Sequence, residues 1–297
     1  MSSCGTICHA SSVVDGSLRS GGATYMCGKL CRGRGHNRQD LRLPPVQWSC
    51  HLLAAPLPSP EGGHAPARAE PQEDAMSGLR PKFLTFDCYG TLTRFQMGEL
   101  AREIFSDRIA AGRMDQFVRD FSAYRMDEVL GAWKPYVDVL KSAVERTCGK
   151  HGIAFVEAEG QRFYDAVPTW GPHPDVPEPL KQVARHYPLV ILSNASNSQI
   201  HSNVEKLQAP FHAVFTAEQA QSYKPRMRGF EYMLDHLGAR PEDLLHVSSS
   251  LRYDLMTAHD LGIRDKVFVN RGHEPSTPYY GYHEVQDIGG LPRLLGL

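Results

Sequence analysis

The segment Phe86-Asp87-Cys88-Tyr89-Gly90-Thr91-Leu92 sets a carboxylate at the end of a short apolar run, just before a glycine that permits a turn. An Asp delivered this way is placed to act as a nucleophile or a metal ligand. Leu192-Ser193-Asn194-Ala195 puts a hydroxyl and backbone N–H groups at a strand-to-helix junction, which can hold an anionic oxygen such as a substrate carboxylate. Ser-Asn pairs also cap helices, so that segment has a purely structural alternative. Ser222-Tyr223-Lys224-Pro225 offers an ammonium, which beside Asp87 would favour the ionised, attacking carboxylate by Coulomb attraction. Pro225 is expected to open a helix and so to hold Lys224 at the sheet edge. The run Val247-Ser248-Ser249-Ser250-Leu251-Arg252-Tyr253-Asp254 adds a second carboxylate behind a serine-rich strand end.

The elements that position these groups are legible as alternating patterns. β-rich apolar runs occur at Lys82–Asp87, Leu189–Ser193, Ala213–Thr216, Leu244–Ser248 and Val267–Asn270. Helical patterns at Pro179–His186, Gln199–Leu207, Met227–Leu237 and Asp254–Leu261 fall between most of them. This alternation predicts an α/β fold: a doubly wound parallel sheet covered on both faces. Between the first and second strands lies a mostly helical stretch far longer than an ordinary crossover. It predicts a helical cap at 95–169 inserted after the first strand, above a core formed by 77–94 and 170–297. The cap would stand over the carboxyl ends of the strands, where open α/β sheets place their ligands.

With these residues in place, the chain resembles the haloacid dehalogenase superfamily, whose first motif is Asp-x-Asp-x-Thr. It resembles more closely the L-2-haloacid dehalogenase branch, with its Phe-Asp-x-Tyr-Gly-Thr-Leu. The resemblance runs from about Lys82 to the C-terminus and includes Leu-Ser-Asn at 192–194, Tyr-Lys-Pro at 223–225 and Asn270-Arg271. It implies Asp87 as covalent nucleophile, Lys224 and Asp254 as catalytic partners, and Thr91, Ser193 and Asn194 as substrate-binding residues. Superfamily phosphatases carry an Asp two positions after the nucleophile, to protonate the leaving alkoxide. Tyr89 stands there, and a halide leaves as a stable anion that needs no proton. Phosphatases also carry two acids in the fourth motif, which help to bind Mg²⁺; here serine replaces the first. The dehalogenase Ser-Ser-Asn-x-Trp-Asp is matched with one residue too many. Anchoring on the strand aligns Ser248 and Ser250 with the family Ser and Asn, and anchoring on Asp254 aligns Ser249 and Leu251. In the cap, Val118-Arg119-Asp120 followed by Trp133-Lys134-Pro135-Tyr136 is similar to the segment holding the substrate-binding Arg. The spacing is off by one; Arg119 is the first choice and Arg125 its rival. The family Tyr six positions after Lys224 is Phe230, without a hydroxyl.

The expected activity is hydrolysis of 2-haloacids to 2-hydroxy acids through an aspartyl ester, with no cofactor and no metal. A phosphatase of the same fold, which would require Mg²⁺, is one alternative. A catalytically silent binding protein is another. The 297 residues, 41% hydrophobic with net charge −1 and no basic stripe, predict a small-molecule substrate and not nucleic acid or an anionic membrane. No apolar run has the length of a bilayer span. Five of the seven cysteines precede residue 51, which argues against a disulfide framework and for a reducing, cytoplasmic setting. Cys27 and Cys31 lack a second pair at zinc-ligand spacing. Residues 1–76, rich in Gly, Ser, Arg and Pro, are read as disordered or as a spurious extension ahead of a natural start at Met76. A homodimer is implied by the resemblance alone.

Overall fold

Apolar runs between Phe83 and Val269 pair side by side as parallel strands in a computed structural model that describes residues 78–297. The expectations for residues 1–76, including Cys27 and Cys31, lie outside the described residues. The strands are β1 (Phe83–Phe86), β2 (Leu189–Ser193), β3 (Ala213–Thr216), β4 (Leu244–Ser248), β5 (Asp265–Val269) and β6 (His283–Val285). They form one sheet in the order β3-β2-β1-β4-β5-β6, parallel throughout. β2 and β4 are buried at every position, as strands covered on both faces must be. The α/β fold class is therefore as the alternating pattern predicted.

The first crossover contains α1 (Met97–Phe105), α2 (Ala111–Leu130), α3 (Tyr136–His151) and α4 (Glu157–Ala166). These helices gather an apolar cluster of their own, including Phe105, Phe117, Phe121, Leu140 and Phe163. The later connections carry α5 (Pro177–Val183), α6 (Asn197–Lys206), α7 (Ala217–Ala220), α8 (Met227–Leu237) and α9 (Met256–Asp260); α10 (Gly290–Leu294) follows β6. α5, α6 and α10 pack on one face of the sheet, and α8 and α9 on the other. Among the described residues no helix is long and apolar enough to cross a membrane.

Two features bear on the site. β1 lies between β2 and β4, so the chain runs outward from it in both directions and leaves a crevice at its carboxyl end. Residues Leu251–Leu255 form a π-helical turn ahead of α9. Ser248 ends β4 in register with Phe268, and Asp254, carried in the turn, accepts from Lys224 at 2.8 Å.

Candidate active site

Asp87 follows β1 directly, its N–H bonded to the Val247 carbonyl at 3.1 Å, so the neighbouring strand fixes where its side chain emerges. Gly90 then adopts φ +95°, a left-handed conformation costly for other residues. The turn it makes, closed by N–H bonds from Leu92 and Thr93 to the Cys88 carbonyl, brings Thr91 back beneath Asp87. The Thr91 hydroxyl donates to Asp87 Oδ2 at 2.7 Å and accepts from the Ser249 N–H at 2.8 Å. Ser249 Oγ lies 3.2 Å from the same hydroxyl. Thr91 is itself fully buried and acts on Asp87 rather than on the open space above it.

Lys224 lies between α7 and α8 and is almost wholly buried. Its ammonium donates to Asp87 Oδ1, Asp254 Oδ1 and the Leu192 carbonyl, each at 2.8 Å, which commits all three N–H donors. Pro225 does not open a helix as expected, since α8 begins at Met227. The Asn194 side chain does the positioning instead. Its Nδ2 donates to the Lys224 carbonyl at 2.9 Å and its Oδ1 accepts from the Lys224 N–H at 2.7 Å.

Two carboxylates thus share one ammonium in a buried site. Burial alone would lower the pKa of Lys224, but Asp254 and Asp87 more than reverse this and hold it above the ordinary amine value. Burial, reinforced by the charge of Asp254, keeps Asp87 above the usual carboxylate range against the pull of Lys224 and Thr91. Burial acts on Asp254 in the same sense, yet Lys224 and His246 together hold it below that range. The pair is therefore split, with Asp87 the more basic carboxylate. The neighbouring Cys88 is no rival nucleophile, because burial pushes its thiol up to about 12.

His246 and Arg271 are residues to which reading the sequence gave no role. His246 sits mid-strand in β4, fully buried, with Nε2 3.1 Å from Asp254 Oδ1 and Nδ1 2.8 Å from Thr85 Oγ1. Facing a carboxylate oxygen, which can only accept, Nε2–H donates to Asp254. Phe230 packs edge-on against this imidazole with ring centroids 5.0 Å apart. Arg271 donates twice to the Thr91 carbonyl (3.0 and 2.8 Å) and forks onto both oxygens of Asp175 (3.1 and 2.9 Å), pinning the turn that carries Thr91. A polar residue in the middle of an apolar strand was the available signal for His246. The Asn-Arg pair after β5 was the one for Arg271.

Asp87 opens into a cavity of about 310 Å³. Its floor is Asp87, Ser193, Asn194, Lys224 and Ser249, and its far wall comes from the helical insertion, with Phe95, Met97, Val118, Phe121, Arg125 and Tyr136. Ser248, expected to bind substrate, does not line it; its Oγ accepts from the Ser250 N–H at 3.0 Å. Arg119 does not line the cavity either. It is exposed on the outside of α2 and bonds to Gln116 at 2.8 Å. Val118, Arg125 and Val129 recur at helical spacing along the stripe of α2 that faces the cavity, and Arg119 stands about 100° around the helix from it. The Arg125 guanidinium lies between two rings, 4.9 Å from the Phe95 centroid and 5.1 Å from that of Phe121. Tyr89 also lines the cavity, but its hydroxyl donates to Asn203 at 2.8 Å.

Among the described residues no three His, Cys, Asp or Glu side chains gather as a metal site. Asp87 and Asp254 converge on the Lys224 ammonium, and Ser249 rather than a further acid stands beside them at the cavity floor.

The sequence profile of the haloacid dehalogenase-like hydrolases matches residues 81–262, and the chain belongs to that family. It is 25% identical over 186 residues to an (S)-2-haloacid dehalogenase of Pseudomonas fluorescens, covering 60% of this chain and 79% of that one. It is 25% identical over 229 residues to (S)-2-haloacid dehalogenase 1 of Pseudomonas sp. (strain CBS-3), covering 71% and 94%. The L-2-haloacid dehalogenase of Xanthobacter autotrophicus, solved with chloropropionic acid covalently bound, superposes with a TM-score of 0.60 at 21% identity, over 73% of this chain and 99% of that chain.

Proposed function

We propose that the protein is a hydrolytic dehalogenase that converts 2-haloacids to 2-hydroxy acids through an ester on Asp87. The observation that carries this is the state of the groups around Asp87. Lys224 and Thr91 hold its two oxygens, while the hydroxyl of Tyr89 is turned onto Asn203. A nucleophile is prepared, and no acid stands two residues on to protonate an alkoxide leaving group. The leaving group that suits such a site departs as a stable anion.

In the first step an Asp87 oxygen bonds to the carbon bearing the halogen, and the halide leaves with the carbon–halogen electron pair. Arg125 faces the substrate carboxylate or the departing halide across the cavity. In the second step water attacks the Asp87 carbonyl carbon and the ester C–O bond breaks, which releases the 2-hydroxy acid and restores the carboxylate. Asp254 and Lys224 assist this step: Asp254 Oδ2, which has no hydrogen-bond partner among the described residues, takes a proton from the attacking water and passes it to the departing hydroxyl oxygen of the product, and the second water proton leaves to solvent as the Asp87 carboxylate re-forms. The relatives named as 2-haloacid dehalogenases support the substrate class.

Halide release from a panel of 2-haloacids, with and without EDTA, is the test. Release unaffected by EDTA is expected. No release, together with Mg²⁺-dependent hydrolysis of p-nitrophenyl phosphate, would place the chain among the phosphatases of this fold.

A further inference from the structure

The cavity above Asp87 is larger and more apolar than a two- or three-carbon haloacid requires. Its volume is about 310 Å³. Most of its polar groups lie at the strand ends, whereas the insertion contributes Phe95, Met97, Val118, Phe121, Val129 and Tyr136 beside Ser122 and Arg125. A short acid would leave most of that wall facing water or empty space, and both forfeit contacts that a larger ligand makes.

The place of the carboxylate is restricted. The N–H groups of Leu251 and Arg252, which open the π-helical turn, are both taken by Glu274 Oε2, at 2.8 and 3.2 Å. Lys224 has no N–H donor left. Of the two guanidinium groups that line the cavity, Arg252 pairs with Glu274 while Arg125 makes no ion pair among the described residues, so Arg125 is the cation left for an anionic ligand. With the carboxylate on Arg125 and the reacting carbon at Asp87, the rest of the volume falls to whatever else the reacting carbon bears.

We infer that the ligand is a carboxylic acid with a bulky apolar substituent on the carbon next to the carboxylate, a medium alkyl chain or an aryl group, and that α2 sets this preference. The inference rests on the haloacid reading for the reaction but not for the binding, so the two can fail separately. Each methylene buried against the wall strengthens binding about fourfold until the cavity is full.

Two measurements on the full chain test this. Calorimetry compares the unhalogenated acids propanoate, octanoate and phenylacetate, and steady-state halide release compares 2-bromopropanoate with 2-bromooctanoate. Octanoate, with five more methylenes, is expected to bind on the order of a thousandfold more tightly than propanoate, with kcat/KM following the same order. Val118→Trp, which fills the wall, should reduce both ratios at least tenfold. Tight octanoate binding without release of any halide would keep the ligand class and overturn dehalogenation. Propanoate binding as well as octanoate, or 2-bromopropanoate turned over as well as 2-bromooctanoate, would overturn the inference while leaving dehalogenation intact. Octanoate binding unchanged in a folded Val118→Trp variant would overturn the role given to α2.

Discussion

At the strand ends Lys224 donates to three partners inside the protein, whereas in the helical insertion Arg125 makes no ion pair among the described residues and lies between two phenyl rings. The first region is a closed polar network, in which Asp87, Thr91, Ser249, Lys224, Asp254 and His246 fix one another. The second is an apolar wall with one charged group in it. The difference separates two tasks. A reacting carboxylate needs its oxygens and charge set before substrate arrives, while a wall that selects by size needs volume and little else. Substitutions in the network should therefore affect chemistry and stability together, and substitutions in the wall should affect substrate choice.

The largest expected effect is on chemistry. Asp87→Asn should lower kcat by roughly 10⁴ or more, since removing a nucleophile leaves only the binding contribution, with a circular dichroism spectrum unchanged. Asp254→Asn should slow the second step more than the first, so the ester accumulates and intact-protein mass rises by that of the acyl group. A protein mass that stays unmodified during turnover would remove Asp254 from hydrolysis. Lys224→Met should be the costliest substitution for the fold, about 3–5 kcal/mol by urea unfolding, because it leaves two carboxylates buried without their cation. Loss of less than about 1 kcal/mol would mean that the network is not closed as described.

Smaller effects sharpen the contrast. Arg125→Ala should cost about 10²-fold in kcat/KM, whereas Arg119→Ala, on the outer surface, should fall within about 0.5 kcal/mol of the parent in stability and leave turnover unchanged. Equal losses from the two would return Arg119 to consideration. The smallest effect is on pH dependence. Asp87 must be ionised to attack, and its raised pKa places the acid limb of kcat/KM above the ordinary carboxylate value. The Thr91 hydroxyl pulls that pKa down, so Thr91→Val should move the limb further up. The insertion carries a separate signature. Lys150 and His151 hold Asp120 at about 2, so Asp120 adds stability above the usual carboxylate pKa that is lost as pH falls through about 2. Asp120→Asn should flatten that part of the unfolding profile.

The same contrast explains what could be read from the sequence. Asp87, Gly90 and Thr91 lie within five residues, and the strand that delivers them is a plain apolar run, so motif and fold pointed to one place. β2, β3, β4 and α8 fall where the hydrophobic patterns put them. Lys224 was legible from its neighbours, although its anchor is the Asn194 side chain and not a helix opened by Pro225. His246 was passed over because its partners, Thr85 and Asp254, are 161 and 8 positions away, and no local pattern links them. Arg125 lost to Arg119 because spacing was borrowed from a resemblance that slips by one residue there. The helical stripe through Val118 and Val129 would have favoured Arg125. The three-residue strand β6 is too short to give a period.

The central claim is that Asp87 forms a covalent ester, and a single turnover in heavy-oxygen water tests it most directly. With enzyme in excess over a 2-haloacid, the account predicts that the heavy oxygen enters the Asp87 carboxylate and that the first 2-hydroxy acid carries ordinary oxygen. Heavy oxygen in the first product, with none in the peptide containing Asp87, would contradict it.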